Sequence, residues 1–447
     1  MKMSKKIAVI SLGCAKNLIN TEQMLWLLSE AGYELTAEPG GADAVIINTC
    51  GFIESAKTEA IDNILEMAAL KDRGELGKII VTGCLSQRYR REIAAELPEV
   101  DSFAGVGNYD DIVEVVERTL AGEHVELFGS NNIPVEETGR VVTTGPAWAY
   151  IKIAEGCSNC CAFCVIPSIR GPYRSRPMEN IIAEAEELAG RGVRELIVVA
   201  QDITRYGTDI YGRHALAELV RSLSGIEGIH WIRLHYLYPD AIDDELIDVI
   251  ASEPKVVKYL DIPIQHINDG ILSRMNRRGD GPLIRSLFRK LRERIPGLVI
   301  RTSLISGLPG EGEAEFEELC GFLREAKIER AGVFPFSPEE GTPAARMPDI
   351  PDAETAQRRA EQIMELQAGI MDEFCEKQLG RTIEVLCEDY DEEEGVWLGR
   401  SWADSPDIDG TVRFSGDGAP GEFFMVEITD IIDGDLCGIA VQEESDR

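Results

Sequence analysis

The chain has 447 residues, 44% of them hydrophobic and 28% charged, which suits a folded protein of two or three domains and excludes a disordered or low-complexity one. Asp and Glu number 79 against 45 Lys and Arg, a formal charge of −34, so the surface as a whole repels nucleic acid and anionic membrane and suits a basic protein partner. No apolar run reaches the roughly 18 residues of a membrane span. The opening Met1–Lys6 runs straight into Ile7–Ile10 with no secretory cleavage pattern behind it. The expectation is a soluble, cytoplasmic protein with no membrane partner.

In chain order, Ile7–Leu12 reads as a strand, followed by a helical pattern over Thr21–Ala31 that Asn20 would cap. Ala44–Thr49 and Lys78–Thr82 read as further strands, with a helix from Ile53 to about Lys71 between them. Near-continuous apolar strands separated by helices predict an open parallel sheet buried on both faces. A stretch rich in Gly, Pro and Thr over 131–146 reads as a linker. Six strand candidates then alternate with helices: Ala149–Ile153, Glu195–Ala200, Trp231–Tyr236, Val256–Ile262, Leu298–Ile305 and Ala331–Phe336. Six β/α units predict a full or partial barrel with its chemistry at the C-terminal strand ends. After a polar helix over about Ala353–Lys377, the strands Thr382–Cys387, Gly395–Gly399, Gly410–Phe414 and Glu422–Ile428 read as a small β-barrel. The expected class is mixed α/β, divided at 1–130, 143–376 and 378–445. Residues 378–447 hold 4 Arg, no Lys and 19 Asp or Glu, a net −15.

Eleven cysteines in a chain of this size point to thiolate chemistry or burial rather than disulfides, and only five histidines weaken a mixed Cys/His zinc site. Glu155–Cys164 holds four of them, at 157, 160, 161 and 164. Two three-cysteine sets fit the spacing, 157/161/164 and 157/160/164. Three thiolates on one tight loop suit an iron–sulfur cluster with one iron left open. A structural zinc would want a fourth ligand, and the next Cys or His is His214. Cys14, Cys50 and Cys84 each follow an apolar strand, 36 and 34 residues apart, about one β/α unit each. In an open parallel sheet the carboxyl ends of the strands share one edge where ligands bind. Three cysteines at three such ends form a second candidate cluster site.

Cys157, Cys161, Phe163 and Cys164 match Cys-x3-Cys-x-aromatic-Cys, and on this motif the chain resembles the radical S-adenosylmethionine family. The resemblance selects Cys157, Cys161 and Cys164 as ligands and leaves Cys160 as an extra cysteine beside them. It narrows to the methylthiotransferases through Ser11–Asn17, Asn48–Lys57, Val165–Arg176, Gln201–Gly207, Arg233–Pro239 and Phe336–Thr342. Within that family the chain is most similar to members that modify an aspartate of small-subunit ribosomal protein S twelve. Ala15 stands where those members often have Pro. The resemblance implies an N-terminal cluster domain, a radical barrel and a C-terminal TRAM domain. It also implies two 4Fe-4S clusters, S-adenosylmethionine as cofactor, and an external electron donor. One S-adenosylmethionine would methylate sulfur at the cluster of Cys14, Cys50 and Cys84. A second, cleaved at the other cluster, would yield a radical that takes hydrogen from the aspartate β-carbon. The substrate protein would be met free or within the small subunit.

Among other candidates, Gly307 in Ser303–Glu311 and Gln201 both follow barrel strands and are read as S-adenosylmethionine contacts, with a tight turn as the alternative for Gly307. The Gly307 loop lacks the Gly-Lys-Ser/Thr ending of a phosphate-binding loop. Arg170, Arg174 and Arg176, like Arg274, Arg277 and Arg278, read first as solvated arginines and second as binders of acidic groups. Arg285–Arg294 reads as a polar helix face, His235 and His266 first as satisfied core histidines and second as groups facing the substrate, and Cys320, Cys375, Cys387 and Cys437 as structural. Two alternatives stand beside the main reading, a transfer-RNA adenosine methylthiotransferase and a non-catalytic iron–sulfur redox protein. A −15 C-terminal domain argues against gripping RNA, so no direct nucleic-acid target is expected. The six-unit barrel argues against a mere electron carrier.

Overall fold

A computed structural model describes residues 4–135 and 137–441. Their contacts divide the chain into two units. The first comprises the chain up to Thr143 with Ala154–Arg176 and Ser337–Ala345, and the second comprises Thr144–Ile153, Pro177–Phe336 and the chain from Arg346.

In the first unit, a six-stranded sheet runs in the order Glu34–Thr36, Lys6–Ser11, Ala44–Thr49, Lys78–Gly83, Ser102–Ala104, Val125–Leu127, parallel throughout. Alternate residues feed opposite cores. Val45, Ile47, Ile79 and Val81 pack with Ala60, Ile64 and Met67 of the helix Glu54–Asp72. Ala44, Ile46 and Ile80 pack with Met24 and Leu28 of the helix Ala15–Glu30 and with Ile112, Val115 and Val116 of Ile112–Leu120. Each fully buried Val or Ile contributes about 1.5–3 kcal/mol, and two-sided burial is why these strands lack polar alternation. The first helix starts well before the expected Thr21. Cys14 is its extended N-cap and Asn20 lies inside it, buried. Asn20 Nδ2 donates to Gln23 Oε1 at 3.2 Å rather than capping the helix.

In the second unit, an open six-stranded parallel sheet keeps chain order: Trp148–Lys152, Glu195–Val199, Trp231–Leu234, Val256–Asp261, Val299–Ser306, Arg330–Pro335. The helix Ala353–Glu376 leads to a closed five-stranded barrel of Thr382–Asp391, Val396–Ser401, Val412–Ser415, Asp435–Ala440 and Phe423–Ile432 in that order. The strand Asp435–Ala440 was not foreseen. It closes the barrel by pairing antiparallel with Phe423–Ile432 and parallel with Val412–Ser415. Buried Val385, Cys387, Phe414, Val426 and Ile428 fill the barrel interior with Cys375 of the helix. No helix among the described residues is long and apolar enough to cross a membrane.

Candidate functional site: two cysteine sets joined by a buried arginine

Sheet register builds the first set. Ser11 pairs with Asn48, and Asn48 with Thr82, so three adjacent parallel strands end at one level. Cys14, Cys50 and Cys84 follow within two or three residues of that level and converge at one edge. Cys50 feels the charge of both Cys14 and Cys84. Glycine makes the approach possible at two points. Gly13 has φ +96°, and a Cβ there would lie 2.8 Å from Cys50 Cβ. Gly83 has φ +99°, and a Cβ there would lie 2.5 Å from Asn48 Oδ1 and Thr49 O.

Polar side chains lock the loops. Asn17 Nδ2 donates to Leu12 O at 2.9 Å and to Thr49 O at 3.0 Å. Asn48 Nδ2 donates to Asn17 O and to Thr21 Oγ1, both at 2.9 Å. Cys14 is exposed, Cys50 half-buried and Cys84 buried. Their thiols differ through neighbouring charge as well as burial. At Cys14 loss of water pushes the thiol up, but Lys16, Arg170 and the N–H groups at the helix start outweigh this and bring it below the ordinary thiol value. Burial, reinforced by the Cys84 charge, pushes Cys50 up to about 11. Burial also raises Cys84, against the pull of Arg170.

The second set lies on the loop after the short ladder Ala154–Glu155 with Arg174–Ser175. Cys157 N donates to Gly171 O at 3.1 Å, Tyr173 N to Ser158 Oγ at 3.1 Å, and Cys164 N to Cys161 O at 3.0 Å. Ile166 N donates to Cys164 Sγ at 3.4 Å. Cys157, Cys161 and Cys164 are half-buried, while Cys160 is exposed and left-handed at φ 54°. Ala344 N, from the segment Ser337–Ala345, donates to Ala162 O at 2.9 Å. In the same segment Glu339 takes Arg88 Nη1 at 2.7 Å and Lys57 Nζ at 3.2 Å, and Arg88 Nη1 also donates to Gly51 O at 2.9 Å. That segment therefore touches both cysteine neighbourhoods.

Arg170 and Arg176 depart from the solvated reading. Arg176 is 7% exposed and paired with Glu137. Arg170 is 2% exposed; its Nη1 donates to both Glu155 oxygens and to Asn20 Oδ1, each at 3.1 Å, and its Nη2 to Asn17 Oδ1 and to Cys84 Sγ, the latter at 3.4 Å. Sequence reasoning missed this network, although Asn17 and Asn20 share one helix face at a spacing of three, a polar signal on a helix that must pack.

In the second unit, Gln201 stands two residues beyond the strand Glu195–Val199, half-buried, and Gly307 follows Val299–Ser306 with φ +76°. A Cβ on Gly307 would lie 2.4 Å from Ala356 Cβ, so the helix Ala353–Glu376 alone already requires glycine there. His235 and His266 are buried. A ring nitrogen of His235 meets Ser405 Oγ at 3.0 Å, as in a satisfied core histidine, whereas Asn268 N donates to His266 Nδ1 at 3.0 Å but His266 Nε2 has no hydrogen-bond partner among the described residues and lies 3.4 Å from Glu311 Oε2. Cys320, Cys375 and Cys387 are buried.

The donor chemistry fits iron–sulfur clusters. Each set offers three thiols and no histidine or carboxylate among the predicted ligands. Tyr109 Oη, buried and without a hydrogen-bond partner, lies where it feels Cys84, Cys14 and Arg170. Among the described residues no three His, Cys, Asp or Glu side chains close tightly enough for a single metal ion. Thiolates on a 4Fe-4S cluster stand farther apart, because each binds a different iron.

Three family models match the chain: Uncharacterized protein family UPF0004 over residues 6–105, the Radical SAM superfamily over 151–323 and the TRAM domain over 379–441. The chain is 48% identical to the ribosomal protein uS12 methylthiotransferase RimO of Lachnoclostridium phytofermentans, covering 97% of this chain and 100% of that protein. It is also 48% identical to the RimO of Geobacter sulfurreducens, over 97% of this chain and 98% of that one. Among solved structures, the radical S-adenosylmethionine methyltransferase TsrM from Kitasatospora setae superposes with a TM-score of 0.56 at 14% identity, covering 74% of this chain and 73% of TsrM, a likeness of fold alone. The open parallel sheet with strand-end cysteines, the Cys-x3-Cys-x-aromatic-Cys loop, the closed C-terminal barrel and near-full-length identity agree, and the chain belongs to the RimO family of radical SAM methylthiotransferases.

Proposed function

We propose that this chain adds a methylthio group to the β-carbon of an aspartate in ribosomal protein uS12, using two 4Fe-4S clusters, S-adenosylmethionine and an external electron donor. The observation that carries the reading is the register of three strand ends that gathers Cys14, Cys50 and Cys84 in a chain that also holds the Cys157–Cys164 loop. Cys14, Cys50 and Cys84 would hold one cluster, and Cys157, Cys161 and Cys164 the other. When bound, the clusters and S-adenosylmethionine supply one-electron cleavage chemistry and a site for sulfur delivery.

The chain's own residues hold and tune those groups. The Asn17 and Asn48 hydrogen bonds keep the strand-end loops of Cys14 and Cys50 in fixed relation before any cluster arrives. The Ile166 N–H gives Cys164 a donor that steadies negative charge on its sulfur. An aspartate β-carbon carries no proton that a side-chain base removes at neutral pH, so no His/Asp/Ser relay is needed. Gln201 and Gly307 are assigned as S-adenosylmethionine contacts. Of the two, Gln201 gives the informative variant, because Gly307 is required by Ala356 in any case. Domain limits of 1–130, 143–376 and 378–445 go with this reading, as does action in the cytoplasm.

Mass spectrometry of small-subunit ribosomal proteins from cells with and without the gene tests the proposal. A methylthio increment on a uS12 aspartate only when the gene is present is the expected result. Unmodified uS12 together with gene-dependent methylthioadenosine in transfer RNA would overturn it.

A further inference from the structure

We propose that Arg170 is a positioning residue that sets the reduction potential of the centre held by Cys14, Cys50 and Cys84, and that Glu155 couples it to the second cysteine loop. The inference rests on the assignment of that cysteine set as a cluster site. Arg170 ends the short helix Ile166–Arg170 directly after the loop of Cys157, Cys161 and Cys164, yet its guanidinium points to the other set. It is 2% exposed and donates to Cys84 Sγ and to Asn17 Oδ1, while Asn17 ties the loop of Cys14 to the strand before Cys50. Its Nη1 donates to Asn20 and to Glu155, two residues before Cys157.

A buried cation costs free energy unless it is compensated, and Glu155 accounts for one negative charge. An N–H donor and a full positive charge on a ligand sulfur stabilise the reduced, more negative form of an iron–sulfur centre and raise its potential. Arginine suits this place because its planar fork meets a carboxylate, two amide oxygens and a sulfur at once, while a lysine carries the charge to one point only. Any shift of the second cysteine loop that moves Glu155 or the helix Ile166–Arg170 is thereby felt at Cys84.

The test uses the full-length protein carrying Cys157→Ala, Cys161→Ala and Cys164→Ala, reconstituted anaerobically so that only the first set binds iron. The midpoint potential and electron-paramagnetic-resonance signal are compared with Arg170 intact, with Arg170→Lys and with Arg170→Met. The expected result is a more negative potential in Arg170→Met, by at least a tenfold change in the reduction equilibrium, about 59 mV for a one-electron couple, with Arg170→Lys between the two. Failure of Arg170→Met to load iron, with loading regained in Arg170→Lys, also supports the charge requirement. Equal loading with identical potentials and signals in all three overturns the inference. No iron bound with Arg170 intact overturns the underlying site assignment instead.

Discussion

Arg400 Nη2 lies 2.6 Å from Glu195 Oε2, across 205 residues of chain, and Arg233 Nε lies 2.7 Å from the other oxygen of the same carboxylate. Arg233 also donates to Trp402 O at 2.7 Å, so one buried glutamate at the start of a sheet strand pins the closed C-terminal barrel to the parallel sheet. Burial would raise the Glu195 pKa, but the two guanidinium groups outweigh it and hold the carboxyl below the ordinary carboxylate range.

Glu195→Gln leaves two buried guanidinium charges under-compensated and is expected to cost about 3–5 kcal/mol of stability, read by urea unfolding. Because the folded value is depressed, the stabilisation from Glu195 is fully present above the unfolded carboxyl pKa of about 4.3 and fades as pH falls below it through the folded value. The pH dependence of unfolding in that acid window should flatten in Glu195→Gln. An unchanged slope would show that other carboxylates carry it.

Cys50→Ala and Cys161→Ala should each reduce bound iron after anaerobic reconstitution to about half, and the double variant should abolish it, since each removes one of three thiolates from a different cluster. Cys160→Ala should keep the full complement. Iron and sulfide analysis decides this, and a loss in Cys160→Ala would move the ligand set to Cys157, Cys160 and Cys164.

Glu339 is 4% exposed and takes Arg88, Lys57 and the Ser337 hydroxyl, the last at 2.7 Å. Glu339→Gln should weaken the seat of Ser337–Ala345 by about 3 kcal/mol, the lower end of the cost of breaking a buried pair. Hydrogen exchange should rise in that segment and at Ala162, whose carbonyl accepts from Ala344 N. Faster exchange confined to the segment would separate it from the cysteine loop.

Glu392 and Glu393 are exposed on the turn after the strand Thr382–Asp391 of the acidic C-terminal barrel. Glu392→Lys with Glu393→Lys should slow modification of uS12, and the deficit should shrink as salt is raised, because screening removes charge steering. A rate independent of both substitution and salt would mean that this barrel does not steer the substrate.

The chain by itself determined most of the long elements and that Cys14, Cys50 and Cys84 stand at strand ends. Strands such as Ala44–Thr49 and the helix Glu54–Asp72 are visible locally, because apolar periodicity follows from which face must be buried. The three strand-end cysteines were legible because a parallel sheet puts every strand's carboxyl end on one edge. Tertiary structure alone decided the rest. Asp435–Ala440 is short and carries an internal Cys-Gly pair, so only its two partner strands make it a strand. The early start of the first helix depends on Cys14 being held extended beside the neighbouring strand ends. Arg170 is a cation whose local sequence is that of a solvated one. It is buried because Glu155, Asn17, Asn20 and Cys84 meet it in space, and the position of a charge relative to its partners is a property of the fold and not of the neighbouring residues.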